Sequence, residues 1–133
     1  MNRWLLCAAL AVCGCGGSAN DSDSMVGTWK GSASGLTVTM VVDQTLVSGG
    51  VTGLVGTLNT NNPACFTNAS MSALLSNNVS LTVSASGAGS TSKTVLQFDG
   101  ERSGDTVTGY VELTGLDSDA CSMERMPLTL THQ

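Results

Sequence analysis

Residues 69–85 read ASMSALLSNNVSLTVSA, and this stretch decides the fold. Ala69, Met71, Ala73 and Leu75 fall on every second position, and so do Val79, Leu81, Val83 and Ala85, with serine and threonine filling most places between them. In an extended chain successive side chains point to opposite faces, so each run has one apolar face and one largely polar face. Asn77-Asn78 separates the runs, and asparagine tolerates the positive φ that tight hairpin turns require. The stretch therefore predicts two antiparallel strands that share a core face.

The same period extends in both directions. It predicts strands at Val26–Lys30, at Leu36–Asp43 (Leu36, Val38, Met40 and Val42 on one face), at Val51–Leu58 and at Phe66–Leu75. It continues at Val79–Ala85, Lys93–Asp99, Thr106–Leu113 (Val107, Gly109, Val111 and Leu113 on one face) and Ser122–Thr131. Pro127 interrupts the last of these and predicts a bulge or an edge there. No stretch carries a helical period. Eight short strands with hairpin-length links predict an all-β, eight-stranded antiparallel up-and-down barrel, somewhat flattened, because closure removes the exposed edges of a meander. The pentapeptides Val51-Thr52-Gly53-Leu54-Val55 and Val107-Thr108-Gly109-Tyr110-Val111 lie 56 positions apart, as do Asp43 and Asp99, and Cys65 and Cys121. This predicts a four-strand unit used twice, with a pseudo-two-fold axis along the barrel.

Gly27-Thr28-Trp29 on the first strand resembles the Gly-x-Trp of lipocalins and avidins, the calycin barrels. The resemblance implies a small apolar or amphipathic ligand held inside the barrel. It also implies an arginine near the last strand packed against the tryptophan. Arg125 is the residue that matches, so Trp29 and Arg125 are the candidate ligand-binding residues. Avidins enclose biotin with several tryptophans, whereas Trp29 is the only one beyond the first few residues, so biotin binding is not carried over.

The start of the chain carries a second resemblance. Asn2 and Arg3 precede an apolar run, Trp4 to Val12, which is shorter than the roughly 20 residues that span a bilayer but fits a signal-peptide core. Val12, Gly14 and Cys15 resemble the lipobox of bacterial lipoprotein signal peptides. The resemblance implies a signal peptide over 1–14, a lipidated Cys15 and polar tether over 15–24, and a β-barrel domain over 25–133. Cys7 and Cys13 would leave with the leader. The partner so implied is the membrane, held through acyl chains on Cys15. Gly16 rather than aspartate after the lipidated cysteine implies the outer membrane of the cell envelope in a Gram-negative host.

Outside the cytoplasm, the two remaining cysteines, Cys65 and Cys121, are expected to form a disulfide. In an eight-stranded meander they start strands at the same rim but on opposite sides. Their Cα atoms must approach to about 4.4–6.8 Å, so the loops at that rim are expected to fold inward. The tether belongs to the opposite rim.

The chain carries a formal charge of −5, and after loss of the leader four basic side chains stand against ten acidic ones. That balance excludes nucleic-acid binding, which needs clustered lysine and arginine. No catalytic constellation, metal cluster or cofactor motif is expected. His132 is one residue from the end, and the many serines have no base at a fixed spacing. Asp117 and Asp119 lack the glycine and glutamate of an EF-hand loop. Two readings stay open. One is a ligand-binding barrel, for which the small residues Gly53, Val55, Ala69, Ala73 and Gly109 would leave interior space. The other is a filled barrel acting as a structural or interaction protein of the envelope, such as a surface inhibitor. A continuous interior void of a few hundred Å³ would separate them.

Overall fold

The two runs flanking Asn77-Asn78 form β4 (Ala69–Ser76) and β5 (Ser80–Ser86) in a computed structural model that describes residues 24–63, 66–86, 94–116 and 121–133. Both asparagines take positive φ, 51° and 58°, and the Val79 amide donates to the Ser76 carbonyl at 3.0 Å to close the turn. The other strands are β1 (Gly27–Ala33), β2 (Leu36–Ser48), β3 (Val51–Thr60), β6 (Thr94–Ser103), β7 (Thr106–Gly115) and β8 (Met123–His132). Each pairs antiparallel with the next, and β1 pairs with β8 through Trp29↔His132 and Lys30↔Thr131, so the sheet closes as an up-and-down barrel. No α-helix lies among the described residues.

Every strand sends apolar side chains inward. Trp29, Met40, Leu54, Leu58, Leu75, Leu81, Leu96, Phe98, Val111 and Leu130 are all essentially inaccessible. Each such side chain contributes about 1.5–3 kcal/mol on burial. The outward positions are mostly serine and threonine, which is the inverse of a barrel whose outer wall faces lipid along its length.

One rim carries the start of β1, the end of β8 and the turns at Gly49-Gly50, Asn77-Asn78 and Gly104-Asp105; we call it the terminal rim. The other, the loop rim, carries Ser34-Gly35, the β3–β4 loop and the start of β8. At the loop rim Phe66 is fully buried, its amide donating to the Asn62 carbonyl at 3.0 Å and its carbonyl accepting from Thr60 Oγ1 at 3.0 Å. Asn61 pins the same loop to the first hairpin: its Oδ1 accepts from the Thr37 amide and its Nδ2 donates to the Gly35 carbonyl. Of the described part of the β3–β4 loop, Phe66 is the side chain that turns inward, while Asn61, Asn62 and Pro63 stay exposed. Cys121 is 8% exposed on this rim, while Cys65 lies outside the described residues.

Two bulges shape the barrel. One lies in β8 at Glu124-Arg125, opposite Glu112, two residues before Pro127. The other is Asp43 in β2, between the pairs Val42↔Gly56 and Gln44↔Val55. An inserted residue inverts the facing of the strand beyond it, and this corrects the reading of the repeat. Up to Val42 the inward positions of β2 match those of β6 at 56 residues, Met40 with Leu96 and Val42 with Phe98. Beyond Asp43 the match is at 55, so the pair Leu54↔Ala73 corresponds to Gly109↔Leu128. The matching pentapeptides are therefore one position out of structural register. Val107 and Val111 are buried, whereas Val51 and Val55 stand on the outer wall.

The expected inward set changes accordingly. Ala69 and Ala73 face inward and are buried, but Gly53 and Val55 face outward, since β3 buries Leu54 and Leu58. Gly109 faces inward without leaving space: a Cβ there would stand 2.0 Å from the Asp99 carbonyl oxygen.

Candidate functional site

The residues with the most chemistry gather at the terminal rim. Trp29 is fully buried near the middle of β1, and its indole Nε1 donates to the Met25 carbonyl at 2.9 Å, drawing Met25 across the mouth. The His132 ring stacks on the indole, with centroids 4.7 Å apart and planes at 21°. Arg102, at the end of β6, approaches from across the barrel with its guanidinium carbon 6.0 Å from the Trp29 centroid. Its Nε donates to the Gly104 carbonyl at 3.0 Å and its Nη1 to Asn78 Oδ1 at 2.8 Å. His132 Nδ1 lies 3.9 Å from Asp105 Oδ1, and its amide donates to the Asp105 carbonyl at 2.8 Å. One cluster therefore joins β1, β6, β8 and two turns.

This cluster is a clasp. Arg102 is 7% exposed, and burying a cation so far from water is costly unless hydrogen bonds replace its hydration. The bonds that replace it here run to turn groups of the protein itself. Chemically the arrangement closes a mouth and fixes the ring of Trp29.

The structure corrects the arginine assignment. Arg125 lies on the outer wall at the β8 bulge, exposed, with its guanidinium carbon 4.8 Å from the Tyr110 ring centroid. Arg102 occupies the place beside Trp29. The signal for it was present: the alternation Leu96, Phe98, Gly100, Arg102 continues the sixth strand past Asp99 and sends Arg102 inward. Cys15 and the aspartates Asp117 and Asp119 lie outside the described residues. Among the described residues no three histidine, cysteine, aspartate or glutamate side chains come together as metal ligands.

Between the rims the interior is occupied by Trp29, Phe66, Phe98, Met40, Met71 and the leucines. A hollow of about 690 Å³ is an open depression on the outer wall of β5–β8, where Gly100 pairs with Gly109. Thr82, Asp99, Glu101, Tyr110 and Pro127 line it.

A second outer feature was missed in the sequence. Leu46 pairs across to Gly53, and Gly53 to Leu74, so two leucines flank a position without a side chain; Val51 and Val55 stand above and below it. All four apolar side chains are exposed. The signal was charge: between Asp43 and Lys93 no residue is charged.

Compared with known proteins, the chain matches no family model, no curated protein and no solved structure.

Proposed function

We propose that the protein is a lipid-anchored, non-catalytic component of the cell envelope that acts through the outside of a filled barrel, as a structural or interaction protein. The observation that carries this reading is the interior. Trp29, Phe66 and Phe98 and the inward aliphatic side chains are buried against one another in a single cluster, and a carrier of the calycin kind needs a void where they stand. The resemblance of Val12-Cys13-Gly14-Cys15 to a lipobox supports the anchor on Cys15, with the outer membrane as its destination in a Gram-negative host. A disulfide between Cys65 and Cys121 belongs to the same reading. Its supports are an oxidising compartment, a buried Phe66 next to Cys65 at the loop rim, and a Cys121 that is buried and engaged. The described chain starts at the terminal rim, so the clipped loop rim would face away from the membrane.

Native mass spectrometry of protein extracted from its own membrane tests the proposal. The expected mass is the chain from Cys15 plus acyl groups, alone or with a protein partner. A retained small molecule that survives collisional removal of detergent would overturn the filled-barrel reading in favour of a ligand carrier. An unacylated mass would overturn the anchor.

A further inference from the structure

We propose that the exposed apolar patch on β2, β3 and β4 lies flat against the lipid bilayer. The inference rests on the anchored reading above and adds an orientation to it. Beyond Val42, β2 runs on to Ser48 while β1 has already ended, because Gly27 is the residue opposite Val42. The ribbon of β2 and β3 therefore passes the end of β1 and presents its tip to solvent. Leu46 is 65% exposed on the outer face of the ribbon, while Val47, 77% exposed, pairs with Thr52 and stands on the opposite face. Val51, Val55 and Leu74 continue the apolar surface down the outer wall, and Val26 and Val79 border it on the same rim.

Three observations choose the bilayer as the occupant. The first is place: the described chain begins at Ser24, on the rim where this patch lies, so the segment holding Cys15 enters from that side. The second is charge. The acidic side chains described on β6–β8 and their turns are Asp99, Glu101, Asp105, Glu112 and Glu124, while β3, β4 and β5 carry no charge and β2 carries only Asp43, at the bulge. The side with one carboxylate meets anionic headgroups with less repulsion than the side with five. The third is tether length. Residues 16–24 separate Cys15 from the barrel, and a link of nine residues holds the patch within about 30 Å of the membrane. At that enforced proximity a weak apolar contact becomes occupied.

The test uses the full chain, purified from membranes with its anchor and reconstituted into phosphatidylethanolamine–phosphatidylglycerol vesicles. Leu46→Trp places an indole in the patch near the tip, with Leu74→Trp as a second position and Ser70→Trp on the outer wall near the loop rim as control. The emission of the introduced indole is read against the parent, and thermal melting confirms folding. Lipids brominated in the upper acyl chain report contact at the depth of interfacial side chains, about 5–10 Å. The expected result is a blue shift and quenching at positions 46 and 74 and neither at position 70. Vesicle-bound protein with no quenching at 46 or 74 would overturn the docking and leave the anchor standing. Unacylated protein whose tip is nevertheless quenched would support the docking and remove the anchor. A blue shift that depends on protein concentration in detergent without vesicles would assign the patch to a second copy of the chain and overturn the proposal.

Discussion

The guanidinium carbon of Arg102 stands 6.0 Å from the centroid of the Trp29 ring, at the rim where both ends of the barrel domain meet. Hydrogen bonds to Gly104 and Asn78 hold it there. Charged hydrogen bonds of this kind contribute about 1.5–3 kcal/mol each, and removal also strands their partners. Arg102→Met should therefore lower stability by about 2–4 kcal/mol in urea unfolding. Arg102→Lys should not rescue it, since an ammonium cannot reach both acceptors from one fork. By contrast Arg125→Met, on the exposed outer wall, should shift the midpoint by no more than about 0.5 kcal/mol.

Gly56 and Gly53 lie three residues apart on β3 and should respond oppositely to an added methyl group. A Cβ at Gly56 would stand 1.8 Å from the Val41 carbonyl oxygen, a backbone atom that cannot swing aside. At Gly53 the nearest atom is 3.7 Å away. Gly56→Ala is expected to cost about 2 kcal/mol or more through backbone displacement, and Gly53→Ala to be neutral or slightly stabilising. Paired thermal melts of the two variants check the prediction; equal melting temperatures would contradict it.

Thr94 is 1% exposed, and its Oγ1 has no hydrogen-bond partner among the described residues. A buried hydroxyl left unpaired costs about 1–3 kcal/mol. Thr94→Val keeps the shape and removes the hydroxyl, so it should raise stability by about 1 kcal/mol. A loss of stability in chemical denaturation would show that the hydroxyl is in fact satisfied.

Cys65→Ser tests the proposed clip between the two loops of the far rim. Closing a loop of about 57 residues contributes roughly 4 kcal/mol in the chain-entropy model. Without reductant the variant should unfold at a lower urea concentration than the parent, and reductant should bring the parent down to meet it. Identical midpoints in both conditions would remove the bridge.

Strand number, order and most inward faces were legible because each strand buries one side only, which stamps a period of two on the sequence. Met71, Ala73 and Leu75 face inward as that period requires, and so do Leu81, Val83 and Ala85. What the period cannot carry is a position where it changes phase. Asp43 is such a position. It is a residue of ordinary polarity, and nothing in Val42-Asp43-Gln44 signals that one of them is left out of the ladder. The same gap hid the true offset between the halves and placed Gly53 and Val55 on the wrong face. The clasp failed to show for another reason. Trp29, Asn78, Arg102 and His132 meet through barrel closure, which joins the first strand to the last and has no local trace in the chain.

The Asp43 bulge has a consequence for inheritance. The residues after it, through the tip at Gly49-Gly50, take their facing from their partners on β3, Gln44 from Val55 and Leu46 from Gly53. Loss of the Asp43 codon would close the ladder to an even run with those pairs kept, so Leu46 would stay on the outer face. A lineage could thus lose or regain this one residue with what the surface shows to its surroundings left as it is.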